Sequence, residues 1–426
     1  MHYDVVVVGG GAGGLELAAQ LGRKLGAREG RERVLLVDRM PFHIWKPTLH
    51  EVAAGTLDAH QEGLSYTVLA RRNHFSFAMG EFRSLDAAAQ SIVLAAINND
   101  AGKQVVPERT IHYRHLVLAL GSGSNSFGTP GIENAYLLES VRDAQRFHAD
   151  WLSACAHASY AEPRVLAIAI VGAGATGVEL SAELVEAHSM LQASQGSNQR
   201  FRLDISLIEG GERILGGLPP RISEQATVAL ERKGVRVMTS TRVQALHAGE
   251  VVTPSGTVRA DLIVWAAGIK ASDYNAQLGL EVNRINQFVV DDHLRTSAAH
   301  IFALGDCAAT PWTDGKTVPA RAQAAHQQAT YLAKLLHARL SERSYDEAFQ
   351  YKDFGSLVSL GDNKGVGNLM GSLSGKNFFV QGLLAKWMYM SLHLMHHRAI
   401  LGTGKTAVLA LARLLQQRVS GRMKLH

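Results

Sequence analysis

The sequence predicts an α/β fold in which two strand–glycine turn–helix–strand units are followed by a basic helical tail. Three observations carry this. A glycine-rich turn between a β-branched run and a helical pattern occurs near residue 9 and again near residue 172, and no acidic residue follows Asp362. The 426 residues also exceed the length, roughly 250–300, at which one hydrophobic core stops growing, so two or three domains are expected. The chain is 46% hydrophobic and 19% charged, with 41 Gly and 10 Pro, which excludes disordered, collagenous and coiled-coil classes.

The first unit covers residues 4–38. Val5 to Val8 is a strand, Gly9-Gly10-Gly11-Ala12-Gly13-Gly14 the turn, Leu15 to Leu25 a helix, and Val34 to Val37 a second strand ending in Asp38. Each position has a physical task. Gly9 permits the tight turn, Gly11 lets backbone approach a pyrophosphate, and Gly14 lets helix and sheet pack closely. The helix N-terminus offers unpaired N–H groups to phosphate, and Asp38 would accept from a ribose diol. A lone GxGxxG is weak evidence; strand, helix and carboxylate in register complete a dinucleotide fingerprint.

The unit recurs at 165–209, with Val165 to Val171 as strand, Gly172, Gly174 and Gly177 in the turn, Val178 to Leu191 as helix and Ile205 to Glu209 closing it. A carboxylate at Glu209 accepts from a 2′-hydroxyl and repels a 2′-phosphate, favouring NADH over NADPH, although Arg213 follows soon after and tempers the preference. Leu116 to Gly121 and Leu262 to Gly268 read as buried strands leading out of the two units, each ending in a small-residue turn beside a nucleotide. Ile301-Phe302-Ala303-Leu304-Gly305-Asp306-Cys307-Ala308 adds a third signature.

Over residues 1 to about 340 these motifs, in this order, resemble the two-dinucleotide flavoproteins of the pyridine nucleotide-disulfide oxidoreductase superfamily. The resemblance implies two Rossmann-like dinucleotide-binding domains, an FAD domain with an inserted NAD domain, and Asp306 on the flavin's ribityl side. It divides the chain into 1–140 and 283–345 for FAD, 141–282 for NADH, and a C-terminal region at 346–426.

Cys155 and Cys307 lie far apart with no CxxC, which disfavours a redox dithiol, a disulfide framework and a cysteine-rich metal site, and suggests a reducing compartment. Where disulfide reductases carry their cysteines, this chain has Pro41-Phe42-His43-Ile44-Trp45-Lys46-Pro47-Thr48-Leu49-His50-Glu51-Val52-Ala53-Ala54-Gly55. That segment resembles type II NADH dehydrogenases, the single-subunit NADH:quinone oxidoreductases, and makes Lys46 and Thr48 candidate flavin contacts. Ala322-Gln323 to Gln327 resembles the family's Ala-Gln-x-x-x-Gln motif; at i and i+4 on a helix, Gln323 and Gln327 share a face from which each amide could donate to a quinone carbonyl. The resemblance also brings Glu179 near nicotinamide and flavin, where it could couple proton movement to reduction; a helix-N-terminal Glu stabilised by the macrodipole is the alternative. Lys364, in Leu360-Gly361-Asp362-Asn363-Lys364, could sit near the flavin or the quinone.

From Phe378 the apolar residues recur at helical spacing, and a second stretch, Ala407 to Leu415 with Val419, is flanked by Lys405, Arg413, Arg418 and Arg422. The last 64 residues carry nine basic and no acidic side chains, against 34 basic and 38 acidic in the rest. A neutral-to-acidic body with a basic, amphipathic tail fits an anionic bilayer surface rather than nucleic acid, and neither run reaches the ~18 apolar residues of a membrane span. A dimerising helix pair is the other reading, so a homodimer stays open. With no basic leader, the N-terminus suggests a cytoplasmic protein held peripherally at the inner face of the cytoplasmic membrane. A tail that only anchors could be removed from Phe378 onward with FAD still bound. His393, His396 and His397 are expected at headgroup level rather than on a metal, and Gly402-Thr403-Gly404-Lys405-Thr406 lacks the first glycine and preceding strand of a P-loop.

The implied activity is FAD-dependent, non-pumping NADH:quinone oxidation in a respiratory chain. Two alternatives are a sulfide:quinone oxidoreductase, which would need more cysteines at the flavin, and a flavin- and NADH-binding redox sensor, which would turn over quinone slowly.

Overall fold

The computed structural model describes residues 1–99, 101–160, 162, 164–194, 196–361, 365–370, 377–381 and 383–419. Strand His2–Val8 is followed by helix Ala12–Arg33 and strand Val34–Asp38, pairing in parallel from Val5 with Val34 to Val8 with Val37. The helix extends beyond the expected Leu25, past a break at Gly26 where φ is +81°. Its burial is one-sided enough to take Leu15, Leu17, Ala18 and Leu21 fully into the core. The sheet runs Ser76–Met79, Val34–Asp38, His2–Val8, Arg109–Leu118, and Ser91–Leu94 joins the N-terminal half of the last strand in antiparallel fashion. Its C-terminal half pairs in parallel with Ile301–Ala303, so the chain re-enters the first sheet after building a second.

The second sheet is parallel throughout, in the order Tyr136–Leu137, Leu262–Trp265, Val165–Val171, Arg202–Ile208, Arg236–Met238. Helices Val141–Tyr160 and Ala175–Ser194 pack beside it through residues such as Trp151, Val178 and Leu184. Parallel strands covered by helices on crossover connections account for the near-continuous apolar runs of the sequence. The two glycine turns therefore open at the carboxyl ends of their sheets, where open α/β sheets bind ligands.

The C-terminal region differs from expectation in one element. Phe378, Phe379 and Val380 belong to strand Asn377–Gln381, which pairs antiparallel with Gly365–Met370, itself paired with Gly355–Ser359. A short aromatic and β-branched run fits strand and helix alike by periodicity, and the neighbouring hairpin decides it. Helix begins at Leu383 and runs to Leu401; Gly402, at φ +80°, joins it to helix Thr403–Val419. Helix Leu383–Leu401 lies against Ala12–Arg33, and Ile400 enters the core of the first domain. His396 and His397 are buried there, not at headgroup level, because helix-to-domain packing covers them. No helix among the described residues is long and apolar enough to cross a membrane.

Candidate active site

The two glycine turns are built alike. Gly9 N–H donates to Val37 O at 2.8 Å and Gly172 N–H to Ile208 O at 2.7 Å, with φ of +105° and +99°. One residue on, Gly10 N–H donates to Asp38 Oδ2 at 2.6 Å and Ala173 N–H to Glu209 Oε2 at 2.8 Å. A Cβ on Gly14 would sit 2.0 Å from Gly9 O, and one on Gly177 2.0 Å from Gly172 O, so helix and turn touch through bare backbone. A Cβ on Gly11 or Gly174 would meet nothing within 4 Å. These two glycines open onto free space at the helix N-termini, Gly11 being an N-cap without a side chain to occupy it. That room, aligned N–H groups and a nearby carboxylate are what a pyrophosphate and its ribose require, so the residues fit a dinucleotide at each turn. Burial pushes the Asp38 carboxyl up, against hydrogen bonds from Met40 and Gly10 that oppose it.

Around the first turn the chain gathers Gly121 (φ +72°), Lys46 and Asp306. Lys46 Nζ donates to Ser122 O at 2.5 Å, and Ser122 Oγ donates to Asp306 Oδ2 at 2.9 Å. Thr48 is buried and gives its hydroxyl to Trp45 O at 2.8 Å, so that group is already committed within the segment. Gly268, at φ +64°, turns the chain after Leu262–Trp265 at the second site.

Glu179 is not a solvated helix-end carboxylate. It is 5% exposed, accepts from Ser359 N–H at 3.0 Å through Oε1, and has Oε2 at 3.5 Å from His50 Nδ1. Burial, with Glu51 and Glu183 adding their charge, pushes its carboxyl well above the usual range. Burial pushes His50 down to about 4, against the hydrogen bond its ring donates to the Pro47 carbonyl. Burial thus favours the protonated carboxyl, beside an imidazole that is neutral at neutral pH. Helix Ala175–Ser194, helix Leu49–Ala54 and strand Gly355–Ser359 meet at this one group.

Gln323 and Gln327 do share a face of helix Ala322–Leu340, and both amides clasp the segment after it. Gln323 donates to Gly355 O at 2.9 Å and accepts from Phe354 N–H at 3.2 Å; Gln327 donates to Lys352 O at 2.8 Å and accepts from Lys352 N–H at 3.0 Å. Lys364 lies outside the described residues.

Residues 3–329 match the model of the pyridine nucleotide-disulphide oxidoreductase family. A type II NADH:quinone oxidoreductase of Haemophilus influenzae is 40% identical over 99% of this chain and 100% of its own length. The chain belongs to the type II NADH:quinone oxidoreductases. A relative of that name from Staphylococcus aureus is 29% identical over 87% of this chain and 91% of its own. The fold extends to NDH2 of Plasmodium falciparum, solved in complex with NADH, with a TM-score of 0.82, 17% identity and 99% of each chain covered. It is also similar to a ferredoxin reductase from Rhodopseudomonas palustris, with a TM-score of 0.65 and 20% identity over 87% of this chain and 83% of that one.

In this type II NADH:quinone oxidoreductase the two thiols are unsuited to act as a redox pair. Cys155 is buried in the second core, where burial pushes its thiol up; Cys307 is buried beside Asp306, pushed up to about 11. Sulfide chemistry at the flavin would want an accessible thiolate. Sequence reasoning missed His50 and Glu183, the neighbours that define Glu179. It also missed Glu16, a carboxylate within the apolar run Leu15-Glu16-Leu17; a charge on a core face was the available signal. Arg213, the residue that tempered the NADH preference, is spent on its own loop, donating to Leu218 O at 2.6 Å and Gly216 O at 2.7 Å.

Proposed function

We propose that this chain oxidises NADH and reduces a membrane quinone, with FAD at the first glycine turn and NADH at the second. The observation that carries this is the pair of equivalent turns, each with a carboxylate on its backbone N–H, together with the buried acid Glu179 touching both halves. Bound there, FAD would take a hydride from NADH and return two electrons to the quinone, NADH, H⁺ and quinone giving NAD⁺ and quinol overall.

The chain's own residues bind, orient and hold protons. Gly11 and Gly174 leave room for the pyrophosphates; Asp38 and Glu209 accept from adenosine ribose hydroxyls; Asp306 receives the ribityl side, with Lys46 and Gly121 completing the rim. Burial favours the protonated form of Glu179 where the two halves meet, so this carboxyl can hold a proton between them. Gln323 and Gln327 can donate to a quinone carbonyl only by exchanging their present partners at 352–355. Residues 1–140 and 283–345 then serve FAD, 141–282 NADH, and 346–426 the membrane.

The tail's support for a lipid surface is a row on helix Thr403–Val419. Val408, Leu411 and Leu415 are 69%, 58% and 58% exposed, and Lys405 and Arg398 are exposed nearby. Apolar area plus about 1 kcal/mol per basic residue near an anionic surface would hold the protein peripherally, at the cytoplasmic face. A homodimer could use the same row, and sedimentation without lipid distinguishes it.

Anaerobic addition of NADH should bleach the flavin's visible absorbance, and a short-chain quinone should restore it within the enzyme's turnover time. Bleaching without restoration by quinone would favour a sensor or another acceptor. Bleaching by sulfide alone would overturn the reading.

A further inference from the structure

A buried chain of hydrogen bonds joins the tail to the first glycine turn. Gly10 O accepts from His43 Nδ1 at 2.9 Å and from the Tyr66 hydroxyl at 2.7 Å. His43 Nε2 lies 2.8 Å from Nε2 of His396, on the tail helix. His396 Nδ1 lies 2.7 Å from Glu16 Oε1, and Glu16 Oε2 is paired with His326 Nδ1. His43, His396 and Glu16 are buried; His326 reaches partly to solvent.

The hydrogens on this chain can be counted. A carbonyl only accepts, so His43 Nδ1 carries a hydrogen, and in a neutral ring its Nε2 is then a lone pair. His396 Nδ1 faces a carboxylate and donates to it, which in a neutral ring leaves its Nε2 a lone pair as well. Two lone pairs 2.8 Å apart repel, so the contact requires one further proton. Placing the hydrogen of the Glu16–His396 bond on the carboxyl instead leaves the total unchanged. The docked chain thus holds one proton more than a carboxylate and two neutral imidazoles.

The surroundings agree with that count. Burial pushes His43 well below its ordinary value, and burial with the neighbouring His397 and His396 pushes His393 down to about 3, so neither competes for the proton. His397 is also lowered by burial. Burial would raise Glu16, yet hydrogen bonds from His326 and His396 hold it below its usual range, keeping a negative charge opposite. The other charged or titratable groups facing the chain are Arg23 on Glu16's own helix, Tyr66, and Asp38 on the far side of the Gly10 peptide.

We propose that docking of the tail helix on the first domain is proton-linked, the helix seating with one proton shared along His43, His396 and Glu16. An imidazole free in water has a pKa of about 6.5, so above that range the released helix carries no extra proton and docking, which brings the two Nε2 atoms together, takes one up. Below that range both are charged, and docking gives one up. Docking is therefore tightest near pH 6.5 and weakens about tenfold per pH unit on the alkaline side, until the docked chain itself loses the proton. This goes beyond the proposed reaction and does not depend on it.

The test is hydrogen exchange on the full-length, FAD-loaded protein in detergent micelles from pH 6 to 9, read as protection factors for the amides of 393–400. Wild type should lose about tenfold protection per pH unit above the optimum, while Val5 to Val8 stay unchanged. In His43→Gln the amide N–H can donate to His396 Nε2 while Gly10 O keeps the Tyr66 hydroxyl, so the extra proton is not needed and the alkaline decline should vanish. In Glu16→Gln the imidazolium loses its counter-charge, and protection at pH 6.5 should drop to the wild-type alkaline level. Flat wild-type protection, an unchanged slope in His43→Gln, or full protection at pH 6.5 in Glu16→Gln would overturn the proposal. The Glu16 variant decides if the His43 variant does not fold.

Discussion

Gly11 and Gly14 belong to one motif, yet their replacement by alanine should fail in opposite ways. Gly11 has φ −60° and ψ −176°, ordinary for any residue, and an added Cβ touches nothing within 4 Å. Gly11→Ala should therefore leave the stability of flavin-stripped protein within about 1 kcal/mol of wild type, or raise its thermal midpoint slightly through unfolded-state entropy. The same methyl occupies the room left for pyrophosphate, and overpacking by a methyl costs ~1–3 kcal/mol, or roughly 5- to 150-fold in FAD affinity. At Gly14 the Cβ would lie 2.0 Å from Gly9 O and 3.0 Å from the Ala119 Cβ. Backbone cannot rotate away, so Gly14→Ala should cost at least that ~1–3 kcal/mol in the folded protein and lower the midpoint by roughly 2–4 °C per kcal/mol. Thermal melts of stripped protein and a fluorescence titration with FAD separate the two. Equal destabilisation by both variants, or unchanged FAD affinity in Gly11→Ala, would refute the assignment of free space at Gly11 to phosphate.

A buried acid held protonated contributes stability in full below its ordinary value of 4.5 and loses it as pH rises toward the raised value. Glu179→Gln, still able to accept from Ser359 N–H, should thus resist urea better than wild type above about pH 4.5, with a gap that widens with pH, and its turnover should lose the corresponding pH limb; a parallel urea profile would count against it. Glu209→Gln keeps an oxygen for Ala173 N–H but gives up charge, so KM for NADH should rise by about 5-fold, the equivalent of ~1 kcal/mol, while NADPH use improves; steady-state kinetics with both nucleotides decide this. Val408→Asp with Leu411→Asp should free the protein from anionic liposomes in flotation without loss of flavin, and retention would sink the anchoring role. These surface changes are cleaner than deletion from Phe378, which also removes His396 and a strand of the C-terminal sheet.

The two nucleotide units were legible because their information is local. Strand, turn, helix and closing carboxylate lie within about 45 residues, and the special backbone positions fall on glycines. The short strand that ends in Gly305-Asp306 was legible for a similar reason. Glu179's position was readable but its state was not, because His50, Glu51, Glu183 and Ser359 come from three separate stretches. The Gln323–Gln327 face followed from helical spacing, whereas its occupation by 352–355 depends on where the next segment folds back. The tail was misread twice for one reason. Composition reported an amphipathic, basic region, and composition does not say that Phe378 pairs with Leu369 or that His396 reaches Glu16 across 380 residues of sequence.

Because three separate stretches of chain converge on the Glu179 carboxyl, its titration doubles as an internal strain gauge. Slack anywhere in that convergence admits water, lowers the pKa and replaces an infrared acid band by a carboxylate one. Nucleotide binding, detergent and lipid could then be compared by their effect on one vibrational signal, without attaching a probe. A substitution far from the nucleotides that loosens the assembly would announce itself in that band before any change in turnover was measurable.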